Sequence, residues 1–161
     1  MRKQKGFSLI ELLIVVAIIL IIAAIAIPNL LRSKMAANEA SAVASVRTIN
    51  TAQVTYASAY PDAGFASSVA ALGGAPTTCA TATGANSTNA CLIDNLLTTG
   101  TKSGYSFAVT AAGGPPASTY TVNADPVTRG TSGQRSFYSD QSGVIRYNQS
   151  GAAASTDSAL Q

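Results

Sequence analysis

The sequence predicts an α+β protein in which a long amino-terminal α-helix packs against an antiparallel sheet of about four strands. Three features predict this class: an apolar run near the amino terminus, an amphipathic stretch that continues it, and alternating strand patterns in the second half. The chain has 161 residues, of which 11% are charged, and it lacks both His and Trp. This length suits one modest domain with an accessory segment.

The first element is an apolar run of 21 residues, 7–27, in which only Ser8 and Glu11 are polar. As a helix it would be about 31 Å long, which matches a hydrocarbon core of roughly 30 Å. Three interpretations fit: a permanent membrane anchor, a secretory signal peptide cleaved near residues 24–26, or a segment that leaves the membrane to pack against copies of itself. The length of the run and the charge of Glu11 inside it count against the signal peptide.

The helical pattern continues beyond Pro28, because an apolar stripe recurs at steps of three and four residues. The stripe comprises Val43, Val46, Ile49, Tyr56 and Tyr60. We therefore predict one helix over residues 7–60, apolar all round in its first half and amphipathic in its second. Pro28 removes one backbone donor and is expected to kink or loosen the helix, and Pro61 is expected to end it.

Residues 61–104 are rich in Gly, Ala, Thr and Ser, and they predict an irregular connection with a few helical turns. They contain both cysteines of the chain, Cys79 and Cys91. A disulfide that closes this loop is the favoured interpretation, because a metal site needs more ligands and the chain has no His. Two free buried thiols are the alternative. A disulfide would agree with export from the cytoplasm.

The strand patterns follow this connection. Residues 105–111 and 118–124 alternate apolar and polar side chains, and the Gly-Gly-Pro-Pro sequence between them separates two strands. Residues 135–140 and 144–148 flank Gln-Ser-Gly, which predicts a short hairpin in which Gly143 adopts a positive φ. The amphipathic half of the helix is expected to cover the apolar face of this sheet.

These elements divide the chain into six predicted segments. They are a basic leader (1–6), an apolar helix (7–28), an amphipathic helix (29–60), a disulfide-closed connection (61–104), an antiparallel sheet (105–149) and a flexible tail (150–161). The tail is predicted to be flexible because it has no hydrophobic periodicity.

The charge pattern does not favour nucleic-acid binding. The formal net charge is +3, from ten Lys and Arg residues and seven Asp and Glu residues. Three of the basic residues, Arg2, Lys3 and Lys5, precede the apolar run, and without them seven basic side chains balance seven acidic ones. Because affinity for phosphates needs clustered basic side chains, no direct nucleic-acid binding is expected.

The sequence also lacks the side chains that most enzymes need. It has no His, a cysteine pair that is better explained as a disulfide, and carboxylates dispersed between Asp62 and Asp157. No glycine-rich phosphate loop followed by Lys is present. We therefore predict a protein that is not an enzyme, with no catalytic residue, no metal site and no cofactor.

The segment KGFSLIELLIVVAIILIIAAIAIP, residues 5–28, resembles the amino-terminal signature of type IV pilins and type II secretion pseudopilins. The features that carry the resemblance are a short basic leader, a Gly6–Phe7 junction, Glu11 and the apolar run that ends at Pro28. The resemblance implies that a membrane prepilin peptidase cleaves between Gly6 and Phe7 and methylates the new amine. It also implies a homo-oligomeric helical filament, which an ATPase machinery assembles from the bacterial inner membrane into an extracellular pilus.

Glu11 and Pro28 belong to the segment that the resemblance assigns to assembly. An ionisable side chain at membrane depth costs roughly 2.5–3.5 kcal/mol, so Glu11 needs a counter-charge. Cleavage leaves an amine on Phe7, one helical turn away, and the amine of an incoming subunit can pair with Glu11 of its neighbour. The alternative is a glutamate that reaches the membrane interface and has no partner.

Two kinds of filament fit this resemblance, a type IV pilus and the pseudopilus of a type II secretion system. The commonest secretion pseudopilin has a calcium loop near its carboxyl terminus, whereas the corresponding stretch here offers only Asp140. This difference favours a major pilin. Because Cys79 and Cys91 precede the predicted strands, the adhesive role of the family's carboxyl-terminal cysteine loop is not carried over. No residue selects among adhesion, twitching motility, DNA uptake and electron transfer.

Overall fold

The computed structural model describes residues 7–80 and 84–160. Within these ranges the chain forms helices α1 (Leu9–Ala59), α2 (Val69–Leu72), α3 (Pro76–Cys79) and α4 (Asn95–Thr98). The strands are β1 (Thr101–Lys102), β2 (Tyr105–Ala112), β3 (Thr119–Pro126), β4 (Ser136–Asp140), β5 (Arg146–Asn148) and β6 (Ser158–Ala159). The predicted α+β class and the predicted long amino-terminal helix are both confirmed.

The chain divides into two compact units, and the boundary between them lies within α1, after Lys34. In the first unit, the residues from Phe7 onward are exposed, except for the half-buried Ala23. Pro28 lies inside α1, and the helix continues through it. A proline in a helix interior removes one hydrogen bond, and here that loss does not end the helix.

The second unit contains one six-stranded sheet in which consecutive strands are neighbours, in the order β1-β2-β3-β4-β5-β6. Every neighbouring pair is antiparallel. In β2, the buried side chains of Tyr105, Phe107 and Val109 alternate with exposed ones, as the sequence predicts. The predicted turn between β4 and β5 also forms, with Gly143 at a φ of +74°. The sheet therefore has one face that must be covered.

One face of α1 supplies that cover over residues 35–59. The buried positions of the helix are Glu39, Ala42, Ser45, Val46, Ile49, Ala52, Gln53 and Tyr56. The apolar members of this set share one core with Phe107, Val122 and Phe137 of the sheet. The sequence-derived stripe contacts this core: Val46, Ile49 and Tyr56 are buried in it, and Val43 and Tyr60 are partly buried against it. The small side chains of Ala42 and Ala52, which the stripe did not include, are buried there as well.

The sheet has two strands more than the roughly four that the sequence predicts. β1 and β6 contain two residues each, which is too short for an alternating pattern to be recognised. β6 forms within the segment predicted as a flexible tail, where Ser158 pairs with Tyr147 of β5. This pairing depends on β5, so no signal within the tail itself could have predicted it.

The connection between α1 and the sheet contains the two predicted helical turns, α2 and α4, and a third that the sequence did not reveal, α3. The side chain of Ser68 caps α2 by accepting a hydrogen bond from the Ala71 amide at 3.2 Å. The carboxylate of Asp94 caps α4 in the same way, from the Leu97 amide at 2.8 Å. Side-chain caps of this kind satisfy amides that a short helix leaves unpaired.

A buried glutamine joins α1 to the start of this connection. The side chain of Gln53 is fully buried, and its amide nitrogen donates to the Ala66 carbonyl at 2.9 Å. Its amide oxygen accepts a hydrogen bond from the Ala66 amide at 2.8 Å. The side chain thus satisfies both backbone groups of a buried residue, as a neighbouring strand would.

We predict that Gln53→Leu destabilises the fold by about 2 kcal/mol or more, because a side chain of similar size leaves both backbone groups of Ala66 buried and unsatisfied. Urea unfolding of the full-length chain in detergent measures the loss. Gln141→Ala, at an exposed position of the β4–β5 turn, serves as the control and should change the stability little. Equal stability of Gln53→Leu and the wild type would contradict this role.

Candidate functional site

The apolar segment of α1 is the largest exposed apolar surface in the described part of the chain. We call residues 7–28 the stem. Its large apolar side chains are between 47% (Val16) and 80% (Leu9) exposed. A window of 18 residues within α1 has a mean hydropathy of 3.3, and none of it is buried. The helix is therefore long and apolar enough to cross a membrane.

Such a surface is not expected to stay in contact with water. Contiguous apolar patches larger than a few hundred Å² are rare on soluble monomers, and they mark sites that contact lipid or another protein. In a bilayer the apolar side chains of the stem would contact lipid, and its backbone would be satisfied because it is helical. The stem therefore requires an apolar environment outside this single chain.

Glu11 caps the amino terminus of the stem helix. Its Oε2 accepts a hydrogen bond from the Ser8 amide at 2.9 Å, and the Ser8 carbonyl accepts one from the Leu12 amide at 3.2 Å. Ser8 precedes the first helical residue, and Glu11 is the third helical residue, so the pair forms half of a capping box. A carboxylate at this end also interacts favourably with the helix dipole. The capping role of Glu11 was not predicted from the sequence, although the spacing Ser-x-x-Glu is the known sequence signature of a capping box.

The other predicted processing and assembly residues occupy different positions along the chain. The Phe7 side chain is 76% exposed and lies two residues before the helix begins. Gly6, the other residue of the predicted cleavage junction, lies outside the described residues. Pro28 lies seventeen residues beyond Glu11, at the end of the stem.

The predicted disulfide between Cys79 and Cys91 is present. Two hydrogen bonds also hold the loop that this disulfide closes. The Cys91 amide donates to the Gly73 carbonyl at 2.9 Å, and the hydroxyl of Tyr56 on α1 donates to the Ser87 carbonyl at 2.6 Å. These two hydrogen bonds attach the loop to the end of α2 and to the buried face of α1.

A carboxylate on α1 also fixes the segment before β4. The Glu39 Oε1 accepts hydrogen bonds from the backbone amides of Gln134 at 2.8 Å and Arg135 at 3.1 Å. Its Oε2 accepts one from the Arg135 Nε at 2.8 Å. The Glu39 side chain is 11% exposed, so its end of this ion pair is largely desolvated. The contact joins residues 96 positions apart in the sequence.

The environment of Glu39 favours its charged form. Burial by itself raises the pKa of this carboxyl, but the two backbone amides and the Arg135 guanidinium together outweigh burial, and the pKa lies below its usual value. Glu39 was not among the residues predicted from the sequence. The sequence did contain a signal that Glu39 faces the core, since Glu39 precedes Ala42, Val46 and Ile49 at the spacing of the buried positions.

Comparison with known proteins finds a family model and relatives that each match part of the chain. A family model described as the prokaryotic N-terminal methylation motif matches residues 1–27. The type IV wide pilus major component PilA4 of Thermus thermophilus is 64% identical over 39 residues, which are 24% of this chain and 30% of that protein. No solved structure matches the chain.

Two further relatives are similar over longer stretches. The type IV major pilin protein PilA of Myxococcus xanthus is 45% identical over 54 residues, 34% of this chain and 24% of that protein. The type II secretion system core protein G of Vibrio cholerae is 41% identical over 56 residues, 35% of this chain and 38% of that protein. The chain thus spans less than two fifths of each relative. These matches confirm the resemblance to type IV pilins and type II secretion pseudopilins.

We predict that the Glu39 carboxylate makes the second unit less stable in acid. Because its pKa is lower in the folded state than in the unfolded chain, the stabilisation is complete above the unfolded pKa of about 4.3 and is lost as the pH falls through the folded pKa. Thermal unfolding of the wild type and of Glu39→Gln between pH 7 and pH 3 measures this effect.

The difference in melting temperature between the two proteins should be largest at pH 7 and should shrink as the pH approaches 3. Asp62→Asn removes an exposed carboxylate, so it should follow the wild type across the whole range. A difference between wild type and Glu39→Gln that is constant with pH would exclude the charge of Glu39 as the cause.

Proposed function

We propose that this chain is a structural subunit, a major pilin, that polymerises into a type IV pilus filament through its stem. The observation that carries the proposal is the stem itself, a helix of exposed apolar side chains with one carboxylate in its first turn. Before assembly, lipid would cover this surface. In the filament, the stems of other subunits would replace the lipid, so the apolar surface stays out of water in both states.

Processing of the leader would create the charge that Glu11 needs. A membrane prepilin peptidase is proposed to cleave between Gly6 and Phe7 and to methylate the new amine of Phe7. In the described part of the chain, Glu11 uses only Oε2, for the Ser8 amide, and Oε1 accepts no hydrogen bond. Oε1 would therefore accept the Phe7 amine of a neighbouring subunit without loss of the cap. Such a pair sets the axial position of each incoming subunit.

This proposal assigns the chain two successive locations. It is first held in the bacterial inner membrane by the stem, and it is then part of an extracellular pilus on the cell surface. A dedicated ATPase machinery would drive the transfer. The disulfide between Cys79 and Cys91 supports exposure of the second unit outside the cytoplasm, because such bonds persist in oxidising compartments.

A second candidate function is that of a pseudopilin in a type II secretion system, acting in protein export. The similarity to the core protein G of Vibrio cholerae favours this candidate. The two functions differ in the assembly that the cell makes. Electron microscopy of cells that produce the chain at native level would show long extracellular fibres for a pilin and no such fibres for a pseudopilin.

We predict that the mature chain begins at Phe7 and carries one methyl group on its amine. Intact-mass and amino-terminal analysis of protein from the native membrane tests both modifications. Gly6→Ala changes the residue before the cleavage point and should slow processing, so unprocessed chain should accumulate. A mature chain that begins after residue 26 would instead indicate removal of a secretory signal peptide.

We predict that Glu11→Gln impairs assembly but not membrane insertion. Glutamine can still cap the helix at this position of a capping box, so the substitution removes the charge and keeps the cap. An amine buried without its counter-charge destabilises a contact by about 3–5 kcal/mol, so sheared filaments should fall by more than about tenfold.

Immunoblots of sheared filaments and of membranes measure the two pools. Asp62→Asn makes the same change of charge at an exposed position of the second unit, and it should leave both pools unchanged. Filament amounts at the wild-type level in Glu11→Gln would contradict pairing between subunits.

A further inference from the structure

Two basic residues, Arg32 and Lys34, follow the stem closely along α1. The helix continues from the stem through Pro28, so both residues belong to the same helix as the apolar surface. At a rise of about 1.5 Å per residue, Arg32 lies about 6 Å and Lys34 about 9 Å beyond Pro28. Both side chains are exposed. The proposed pairing of Glu11 does not use these two cations, so they need a separate explanation.

Arg32 and Lys34 have no partner among the residues that the structure describes. Neither side chain donates a hydrogen bond to a described residue, and the ion pairs within the described ranges involve other cations, Lys102 and Arg135. An ion pair along a helix needs a carboxylate three or four positions away. No Asp or Glu occupies such a position for either cation. Their counter-charge must therefore come from outside this part of the chain.

The two cations lie on opposite sides of the helix. Successive residues of an α-helix are turned by about 100°, so residues two positions apart are turned by about 200°. A single flat protein surface cannot lie against both sides of a helix at once. A layer of lipid headgroups surrounds a helix that crosses a membrane, so it contacts both sides. The arrangement of Arg32 and Lys34 therefore favours a lipid layer as the source of the counter-charge.

The distance of the two cations from the stem also matches the depth of the headgroups. A hydrocarbon core is about 30 Å thick and a whole bilayer about 40–45 Å, so each headgroup layer is about 5–8 Å thick. The stem is about 33 Å long as a helix and fills the core. Arg32 then falls within the headgroup layer. Lys34 falls at its outer boundary, from which a long basic side chain can extend back to the phosphates.

We propose that Arg32 and Lys34 bind the phosphates of anionic lipids on the side of the membrane where the stem ends. Phosphate oxygens accept the charge-assisted hydrogen bonds that guanidinium and ammonium groups donate. These contacts would fix the depth of the stem before assembly, and they would break when the chain leaves the membrane. The inference rests on the membrane-held state of the proposed function and adds to it the class of lipid that the chain binds.

Fluorescence quenching by brominated lipids tests this proposal, because the chain has no Trp of its own. Ile27→Trp introduces a reporter at the end of the stem, where the native side chain is 57% exposed. The full-length chain with this substitution is reconstituted, with lipid in large excess, in vesicles of phosphatidylcholine and phosphatidylglycerol. In matched samples, one or the other lipid carries bromine on its acyl chains close to the headgroup. The two quenching curves give the relative affinity of the stem end for the two lipids.

At low salt, phosphatidylglycerol should bind at least about fivefold more tightly than phosphatidylcholine, because one basic side chain near an anionic surface changes binding by about that factor. The double variant Arg32→Gln, Lys34→Gln should bind the two lipids about equally. Arg47→Gln serves as the matched control, since it removes an exposed cation much further along α1. This control should keep the preference of the parent chain.

Equal quenching by the two lipids in the parent chain would overturn the inference, and so would a preference for phosphatidylglycerol that survives in the double variant. Both results leave the membrane-held state of the chain intact, because the stem is then still quenched by lipid. Quenching by neither lipid would show that the stem does not enter the bilayer. That result would refute the membrane-held state together with the inference.

Two further conditions distinguish lipid from other ligands of the same cations. Sodium phosphate should weaken the preference no more than sodium chloride of equal ionic strength. A larger effect of phosphate would show a site for the free anion and refute lipid recognition. The preference should also persist when the ratio of protein to lipid is lowered. Its loss on dilution would show that a second copy of the chain completes the site, which contradicts binding by a single stem.

Discussion

The main physical constraint on this chain is the exposed apolar surface of the stem, which must be kept out of contact with water. The stem exposes a continuous set of large aliphatic side chains, and only Ser8 and Glu11 interrupt its apolar run. A helix satisfies its own backbone, so the same segment can reside in lipid or among other helices without a change of secondary structure. The apolar surface is thus compatible with both environments, and the ion pair proposed for the carboxylate at its start would distinguish between them.

The helix cap that Glu11 makes and the ion pair proposed for it are compatible in physical terms. Within the chain it caps the helix through the Ser8 amide. A carboxylate has two oxygens and several lone pairs, so a cap does not prevent it from accepting a cation as well. The helix cap would also hold the side chain in place, and a carboxylate that is already oriented loses less entropy when a partner arrives.

The second unit depends on polar side chains placed on the buried face of α1. Gln53 satisfies the backbone of Ala66, and Glu39 binds the segment before β4. Apolar packing between a helix and a sheet is not directional, whereas these hydrogen bonds form only at one position along the helix. They therefore define how the irregular connection and the β4 segment attach to α1, while the apolar residues supply the burial.

Elements with local signals could be predicted from the amino-acid sequence alone: the long helix, the alternation in β2 and the β4–β5 turn at Gly143. Helical and strand periods repeat within ten residues, so no distant part of the chain is needed to recognise them.

Other features follow only from the assembled fold: the exact buried face of α1, the pairing of the short strands β1 and β6, and the groups that meet Glu39. Ala42 and Val43 are equally compatible with the helical period, and only the packing of α1 on the sheet makes Ala42 the more deeply buried of the two. Glu39 and Arg135 are far apart in the sequence, and their contact requires that α1 already lies on the sheet. Such contacts are specified by the packing of whole elements, which a local pattern does not contain.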